Sequence, residues 1–261
     1  MPSTLIIQSH CKPLPHPWLA PCINSIKSWA KNEGFDYQFI GDEIFETLVP
    51  WVLEKTQAQR VIATDLARLK CLQQKLLSGY ERVVWMDADF LIFAPERFHL
   101  PTYSELPENY ALGREVWIQP KDLGENQSHK KSPKYKVYTK VHNAFLLFAQ
   151  GNAFLDFYTA HAERLLKKVS GPIPPQFIGP KLLTALHNVV QCPVQESAAM
   201  LSPWVIRDIL GNGGPALDLF RAKSNDAAAG ANLCSSLSDS AALVDQAMDK
   251  VIARLLSDGA I

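Results

Sequence analysis

Residues 4–9 alternate and are rich in branched side chains, which predicts a first β-strand, and residues 10–17 form a proline-punctuated loop after it. Over residues 18–31, Ile23, Ile26, Trp29 and Ala30 recur at helical spacing, and Gly34 follows as a C-terminal stop. Residues 35–40 alternate aromatic with polar side chains, which predicts a second strand. A long helix is expected over residues 65–78. Its apolar stripe is Leu66, Leu69, Leu72, Leu76 and Leu77, with Thr64 or Asp65 as its N-cap and Gly79 at its end. Residues 82–86 read as the next strand.

This strand–helix–strand–helix–strand order argues for an α/β fold whose sheet contains parallel pairs. Open sheets of that kind bind ligands at the carboxyl ends of their strands, so function is sought just after Ile7, near Thr64 and just after Trp85. Residues 117–140 are polar, carry Lys121, Lys130, Lys131, Lys134, Lys136 and Lys140, and show no period; they read as a surface insertion or lid. An apolar run covers residues 141–148, helices are expected over 154–169 and 180–188, and 172–175 is a stiff loop. The glycines of 211–215 follow no strand, so that segment is a turn without a nucleotide role. Residues 240–256 form an amphipathic helix with Leu243, Val244, Ala247, Val251, Ile252 and Leu255 on one side. No internal repeat is visible.

Composition narrows the function classes. The chain has 261 residues, 47% hydrophobic and 20% charged, which excludes a disordered or low-complexity protein. Lys plus Arg and Asp plus Glu balance at 26 each, so no global field exists to hold a polyanion, and a nucleic-acid partner is not expected. No apolar run approaches the ~20 residues a bilayer span needs. The first residues lack a basic stretch and a long apolar run, so the expected setting is the cytoplasm, with peripheral membrane contact left open. Five scattered cysteines without a Cys-x-x-Cys pair argue for isolated thiols in a reducing compartment.

The most informative segment is 83–93, where Asp87 and Asp89 interrupt an otherwise apolar run. In extended chain, residues two apart face the same side, so both charges would point to one place. Burying two like charges without compensation is costly, and a divalent cation with a diphosphate is the economical neutraliser. The plain structural alternative is a strand end whose carboxylates face water or cap a turn.

Ala63-Thr64-Asp65-Leu66-Ala67-Arg68, the leucine-striped helix, and Val84-Trp85-Met86-Asp87-Ala88-Asp89 together resemble the sugar-nucleotide site of GT-A glycosyltransferases with a DxD motif, most like family 32 (α-mannosyl- and α-galactosyltransferase-like). His142-Asn143-Ala144-Phe145 resembles that family's asparagine-centred strand. Residues 177–184, from Phe177 to Thr184, resemble its Gly-Pro-x-x-Leu-Thr helix start. The resemblance spans roughly residues 5–236. It implies a Rossmann-like domain over 1–261 with a mixed central sheet flanked by helices: a nucleotide-binding half at 1–100, an acceptor and metal half at 101–239, and a C-terminal helix at 240–258.

Under this resemblance, Gln8, Ser9 and His10 line the base pocket, and Asp65 at a helix start meets base or ribose, with Arg68 one turn on pairing with it or nearing the diphosphate. Asp87, with Ala88, contacts ribose or sugar hydroxyls, while Asp89 holds Mn²⁺ or Mg²⁺ bridging the diphosphate of a UDP- or GDP-sugar. Asn143 orients donor sugar or acceptor. Gly179 permits close backbone approach to the sugar, and Pro180 opens the next helix. Where many GT-A enzymes supply a late His as third metal ligand, this chain has Asn232, a weaker donor, followed by Cys234. The implied reaction is hexose transfer, with retention, to a glycan, lipid-linked or protein acceptor. The competing expectations are a non-catalytic relative that binds nucleotide sugar or glycan, and a haloacid-dehalogenase-type phosphatase with Asp87 as nucleophile.

Overall fold

A computed structural model of the chain describes residues 3–106, 108–121, 134–234, 245–259 and 261. It begins with strand β1 (Thr4–Ser9), helix α1 (Leu19–Asn32), strand β2 (Asp36–Ile40), short helix α2 (Pro50–Lys55), helix α3 (Arg60–Leu77) and strand β3 (Arg82–Met86). Then come β4 (Phe90–Ile92), β5 (Tyr110–Pro120), β6 (Tyr135–Ala149), α4 (Phe154–Lys168) and α5 (Pro180–Val190). The chain closes with β7 (Val194–Gln195), β8 (Ala198–Met200), α6 (Pro203–Leu210), α7 (Pro215–Lys223), β9 (Gly230–Asn232) and α8 (Asp245–Asp258).

The described strands form a six-stranded mixed sheet ordered β2-β1-β3-β6-β5-β7 and a three-stranded sheet ordered β4-β9-β8. Strand β1 pairs in parallel with β2 and β3, as the sequence order predicts, whereas β3–β6 and β6–β5 are antiparallel. The central strands are buried on both faces, so their period-2 alternation sorts apolar side chains between two cores rather than between core and water. Ile6, Val84, Met86, Phe145 and Leu147 join Trp18, Ile26 and Trp29 of the α1 region and Val205, Phe220 and Val251 of α6, α7 and α8 on one side. Leu5, Ile7, Val83, Trp85, Leu146 and Phe148 meet Leu66, Leu69 and Leu72 of α3 and Tyr158 of α4 on the other. A fold with helices covering both faces of a mixed sheet is the expected α/β class.

Several elements depart from the sequence reading. Helix α3 starts a full turn earlier, after Gln59, because Ile62 and Ala63 also have apolar neighbours to bury against. Thr64 and Asp65 are therefore inside the helix and not its N-cap; the Thr64 hydroxyl donates back to Arg60 O at 3.3 Å. The lysine-bearing segment read as an aperiodic lid is framed by strands: β5 and β6 pair from Tyr110↔Phe148 out to Pro120↔Tyr135. Residues 122–133, the middle of that expected lid with Lys130 and Lys131, lie outside the described residues, as do 240–244 at the start of the expected C-terminal helix. Helices α6 and α7 were not anticipated; each opens with proline at its first position, and the Asp208 carboxylate accepts from Ala216 N and Leu217 N to cap α7. Among the described residues no helix is long and apolar enough to cross a membrane, and all five cysteines are free thiols, four of them buried.

Candidate functional site

Strand β3 ends at Met86 because the chain turns there. Phe90 N donates to Asp87 O at 3.0 Å, so residues 87–89 form a tight turn and not the extended chain expected from their spacing. That turn is pinned by its backbone: Asp87 N donates to Ala144 O of β6, and the Gln8 side chain donates to Asp87 O at 3.1 Å. Asp87 and Asp89 nevertheless line one cavity of about 570 Å³, which also receives Asp65 and Arg68 from α3, Asn143 from β6, Pro180 and Lys181 from α5, and Asn232 from β9. The cavity lies past the carboxyl end of β3, whose parallel partner is β1, where an open α/β sheet places its ligands.

Arg68 organises the floor. Its Nη1 donates to Asp87 Oδ1 at 3.0 Å and to Asn143 O at 2.7 Å, and its Nη2 lies 3.3 Å from Asp65 Oδ1. The guanidinium also sits 5.1 Å from the Trp85 ring, whose indole N–H donates to Asp87 Oδ1 at 2.7 Å. Asn143 Nδ2 donates to Asp65 Oδ1 at 2.8 Å, closing an Asp65–Asn143–Arg68–Asp87 network within the protein. Burial pushes the Asp65 carboxyl up to about 6, against the opposing pull of Arg68. The same network raises the Arg68 pKa, since Asp87 and Asp65 together outweigh its desolvation.

Asp89 is held from the small sheet. Strand β4 runs antiparallel to β9 with Phe90 opposite Asn232, and Leu233 N donates to Asp89 O. The Asn232 amide donates to Asp89 Oδ1 at 2.6 Å while its own Oδ1 accepts Cys234 N at 2.8 Å. Its carbonyl is therefore turned away from the carboxylate that a shared cation would bridge. Among the described residues no group of three or more His, Cys, Asp or Glu is arranged to hold a metal ion.

Several other predicted positions lie outside the cavity lining. Gln8 is fully buried, tied to Asp87 O and to the Tyr37 hydroxyl, and neither it nor Ser9 nor His10 is among the residues lining the cavity. Ala88 is buried beneath the turn. Gly179 makes room for Asp65: a Cβ there would stand 2.4 Å from Asp65 Oδ2. Tyr158 holds that backbone in place by donating to Ile178 O at 2.9 Å.

The sequence reading missed the wall opposite α5. Glu115, Trp117 and Gln119 of β5 and Tyr138 and Lys140 of β6 line the same cavity. Their period-2 spacing was a usable signal, hidden because 117–140 was read as irregular. At the base of this hairpin, β5 bulges between Leu112 and Gly113, where a Cβ on Gly113 would overlap the His142 ring at 2.2 Å. His142 bonds Ala198 O through Nε2 and accepts Ala144 N at Nδ1, and full burial lowers its pKa to about 4.

Glu115 is 8% exposed, and desolvation pushes its carboxyl from 4.5 up to about 7, with Lys140 opposing. A folded carboxyl that holds its proton more tightly than the unfolded chain adds stability below pH 4.5 that is lost as pH rises through 7. Glu115→Gln is therefore expected to be more favourable at pH 8 than at pH 5, relative to the unmutated chain, by on the order of 3 kcal/mol in urea unfolding. Opposite titration of His142 is common to both chains and drops out of the comparison. An equal mutational effect at the two pH values contradicts a buried, proton-retaining Glu115.

No family model matches the chain, and none of the curated proteins matches it. Among solved structures, it is similar to a glycosyltransferase involved in the glycosylation of the major capsid of PBCV-1, at 12% identity and a TM-score of 0.48, covering 94% of this chain and 98% of that one. It is also similar to mouse xyloside xylosyltransferase 1 in its apo form, at 10% identity and a TM-score of 0.44, covering 90% of this chain and 99% of that one. Overlaps at this level carry no argument about function, which rests on the site.

Proposed function

We propose that this chain is a glycosyltransferase of the GT-A type that moves a hexose, with retention, from a UDP- or GDP-sugar to a glycan, lipid-linked or protein acceptor. One observation carries the reading: Asp87 and Asp89 converge from a single turn onto a cavity of about 570 Å³ at the carboxyl end of β3. That volume falls within the ~300–1,000 Å³ usual for small-molecule sites. Four acidic side chains (Asp65, Asp87, Asp89, Glu115) and three cationic side chains (Arg68, Lys140, Lys181) line it, a mixture suited to a cation and an anion arriving together.

The donor set fits Mn²⁺ or Mg²⁺ in a particular way. Mg²⁺ is commonly held by one or two carboxylates plus substrate phosphates, without a complete cage of protein ligands. Asp87 and Asp89 supply such a pair, and Asn232 fits better as the hydrogen-bond donor that orients Asp89 than as a ligand. The ion, when bound, supplies charge neutralisation for the departing nucleoside diphosphate. The chain's own residues do the remainder. Arg68 and Trp85 fix the Asp87 carboxylate, Asn143 holds Asp65, and Lys181 on α5 offers a positive charge to phosphate.

The test is thermal unfolding with UDP or GDP, with and without Mn²⁺. A nucleoside diphosphate at about 100 times its dissociation constant stabilises by about 2.7 kcal/mol, a rise of roughly 5 °C or more for a chain of this size. Mn²⁺ alone is expected to give little, because the phosphates complete its shell. Absence of a shift with every nucleoside diphosphate in the presence of Mn²⁺ refutes the proposal. The engaged Asn232 carbonyl favours a second reading, a nucleotide-sugar-binding relative without turnover; it predicts the same thermal shift and no sugar transfer.

A further inference from the structure

We propose that the cavity-facing side of the β5–β6 hairpin is the acceptor subsite and binds a neutral pyranose ring, stacked on Trp117 and Tyr138 with Glu115, Gln119 and Lys140 meeting its hydroxyls. The word acceptor rests on the glycosyl-transfer reading above; the saccharide site itself does not.

Pairing brings these residues together. Trp117 stands directly across from Tyr138, and Glu115 directly across from Lys140, on adjacent antiparallel strands. Side chains at such positions lie on one face of the sheet, so Trp117 and Tyr138 border the cavity from the same face of the hairpin, a platform with Glu115 and Lys140 beside it. The intervening residues prove the alternation: Val116 and Ile118 point the other way into the apolar core, with Tyr135 and Val137 packed against it. Trp117 and Tyr138 belong to neither apolar cluster. Both are only half-buried, and both line a cavity that is otherwise rich in charge.

Two large aromatic rings left outside the core, at the wall of a polar cavity, are suited to a ligand with one flat apolar face and a polar rim. A pyranose has that form: axial C–H bonds across a face and hydroxyls around the edge. The polar groups of the platform stand where such hydroxyls would need partners. Trp117 Nε1 donates to Gln119 Oε1 at 3.3 Å, and the Lys140 ammonium lies 5.2 Å from the Tyr138 ring centroid. A nucleobase would also stack on these rings. The Glu115 carboxyl in the same wall can exchange hydrogen bonds with sugar hydroxyls, and the nucleotide measurements below separate the two ligands. The hairpin wall is also built from different strands than the β3–β4 turn that carries Asp87 and Asp89, which leaves the two substrates separate supports.

The test uses methyl hexopyranosides of glucose, galactose and mannose as probes, followed by saturation-transfer NMR and by tryptophan fluorescence, with UDP and GDP binding measured in parallel. The unmutated chain is expected to bind at least one glycoside. Trp117→Ala is expected to weaken it about tenfold or more, and Trp117→Phe to restore most of the affinity. Affinity for nucleoside diphosphate with Mn²⁺ should stay within about twofold in both variants, which also shows that they are folded. Glycoside binding that Trp117→Ala leaves unchanged, or its complete absence from the unmutated chain, overturns the inference. So does a loss of nucleotide affinity on Trp117→Ala, which would assign the platform to the base. Glycoside binding that depends on Trp117 in a chain without nucleotide affinity upholds the saccharide site and removes the transferase reading.

Discussion

Arg68→Met is expected to lower the melting temperature by about 10 °C, the largest stability loss of any single change in the cavity. The guanidinium lies buried between Asp65 and Asp87 and also satisfies Asn143 O. Removing one partner of a buried ion pair leaves an uncompensated charge and costs about 3–5 kcal/mol, and here one cation serves two carboxylates. Each kcal/mol corresponds to roughly 2–4 °C in a chain of this length. The loss should shrink at pH 5, because Asp65, already pushed up to about 6 by burial, then takes a proton and ceases to be an orphaned charge. Adding Asp65→Asn should recover part of the stability at pH 7 for the same reason. Scanning calorimetry of the single and double variants at both pH values checks all three expectations. A loss of under about 2 °C at pH 7 would mean that Arg68 does not hold the two acids together.

Asp89→Asn is expected to reduce sugar transfer, or donor hydrolysis, about a thousandfold, while the melting temperature moves by only a few degrees. The substitution conserves shape and removes one negative charge at the position proposed for the cation. Electrostatic groups of that kind are worth about 10²–10³ in turnover in other enzymes. Structural disturbance stays small because the Asn232 amide can donate to an amide oxygen in place of Asp89 Oδ1. Turnover of the unmutated chain that merely equals the variant's, with nucleotide binding intact, identifies a binding protein without catalysis. Loss of both binding and turnover with unchanged folding would extend the role of Asp89 to ground-state capture of the donor.

Part of the cavity's lining was legible because acids stand out against an apolar run. Asp87 and Asp89, Asp65 with Arg68, Asn143, Pro180 and Asn232 all border the one cavity. Their roles were less legible. Asp65 and Arg68 are one helical turn apart, which suggested a local pair; that Arg68 also reaches Asp87, 19 residues on, depends on how α3 packs across β3. Gly179 read as a position of close backbone approach, and the group it makes room for in the fold is Asp65. Gln8 looked like a base contact and instead braces the turn at Asp87. The second wall of the cavity went unread because Trp117, Tyr138 and the lysines broke the expected apolar alternation, although Val116 and Ile118 of β5 do face the core.

Local pattern by itself determined the α/β class, the β1–α1–β2 and α3–β3 units, the helices α4, α5 and α8, and the clustering of acids after β3. Those features follow from periodicity and burial preference, which act over a few residues. Only the tertiary structure decided that residues 87–89 turn instead of extending, that Asn232 faces Asp89 with its amide, and that the β5–β6 register brings Trp117 opposite Tyr138 on the cavity wall. The physical reason is that hydrogen bonds and ion pairs between residues far apart in the chain depend on sheet register and helix packing. Neither is written in any short window of sequence.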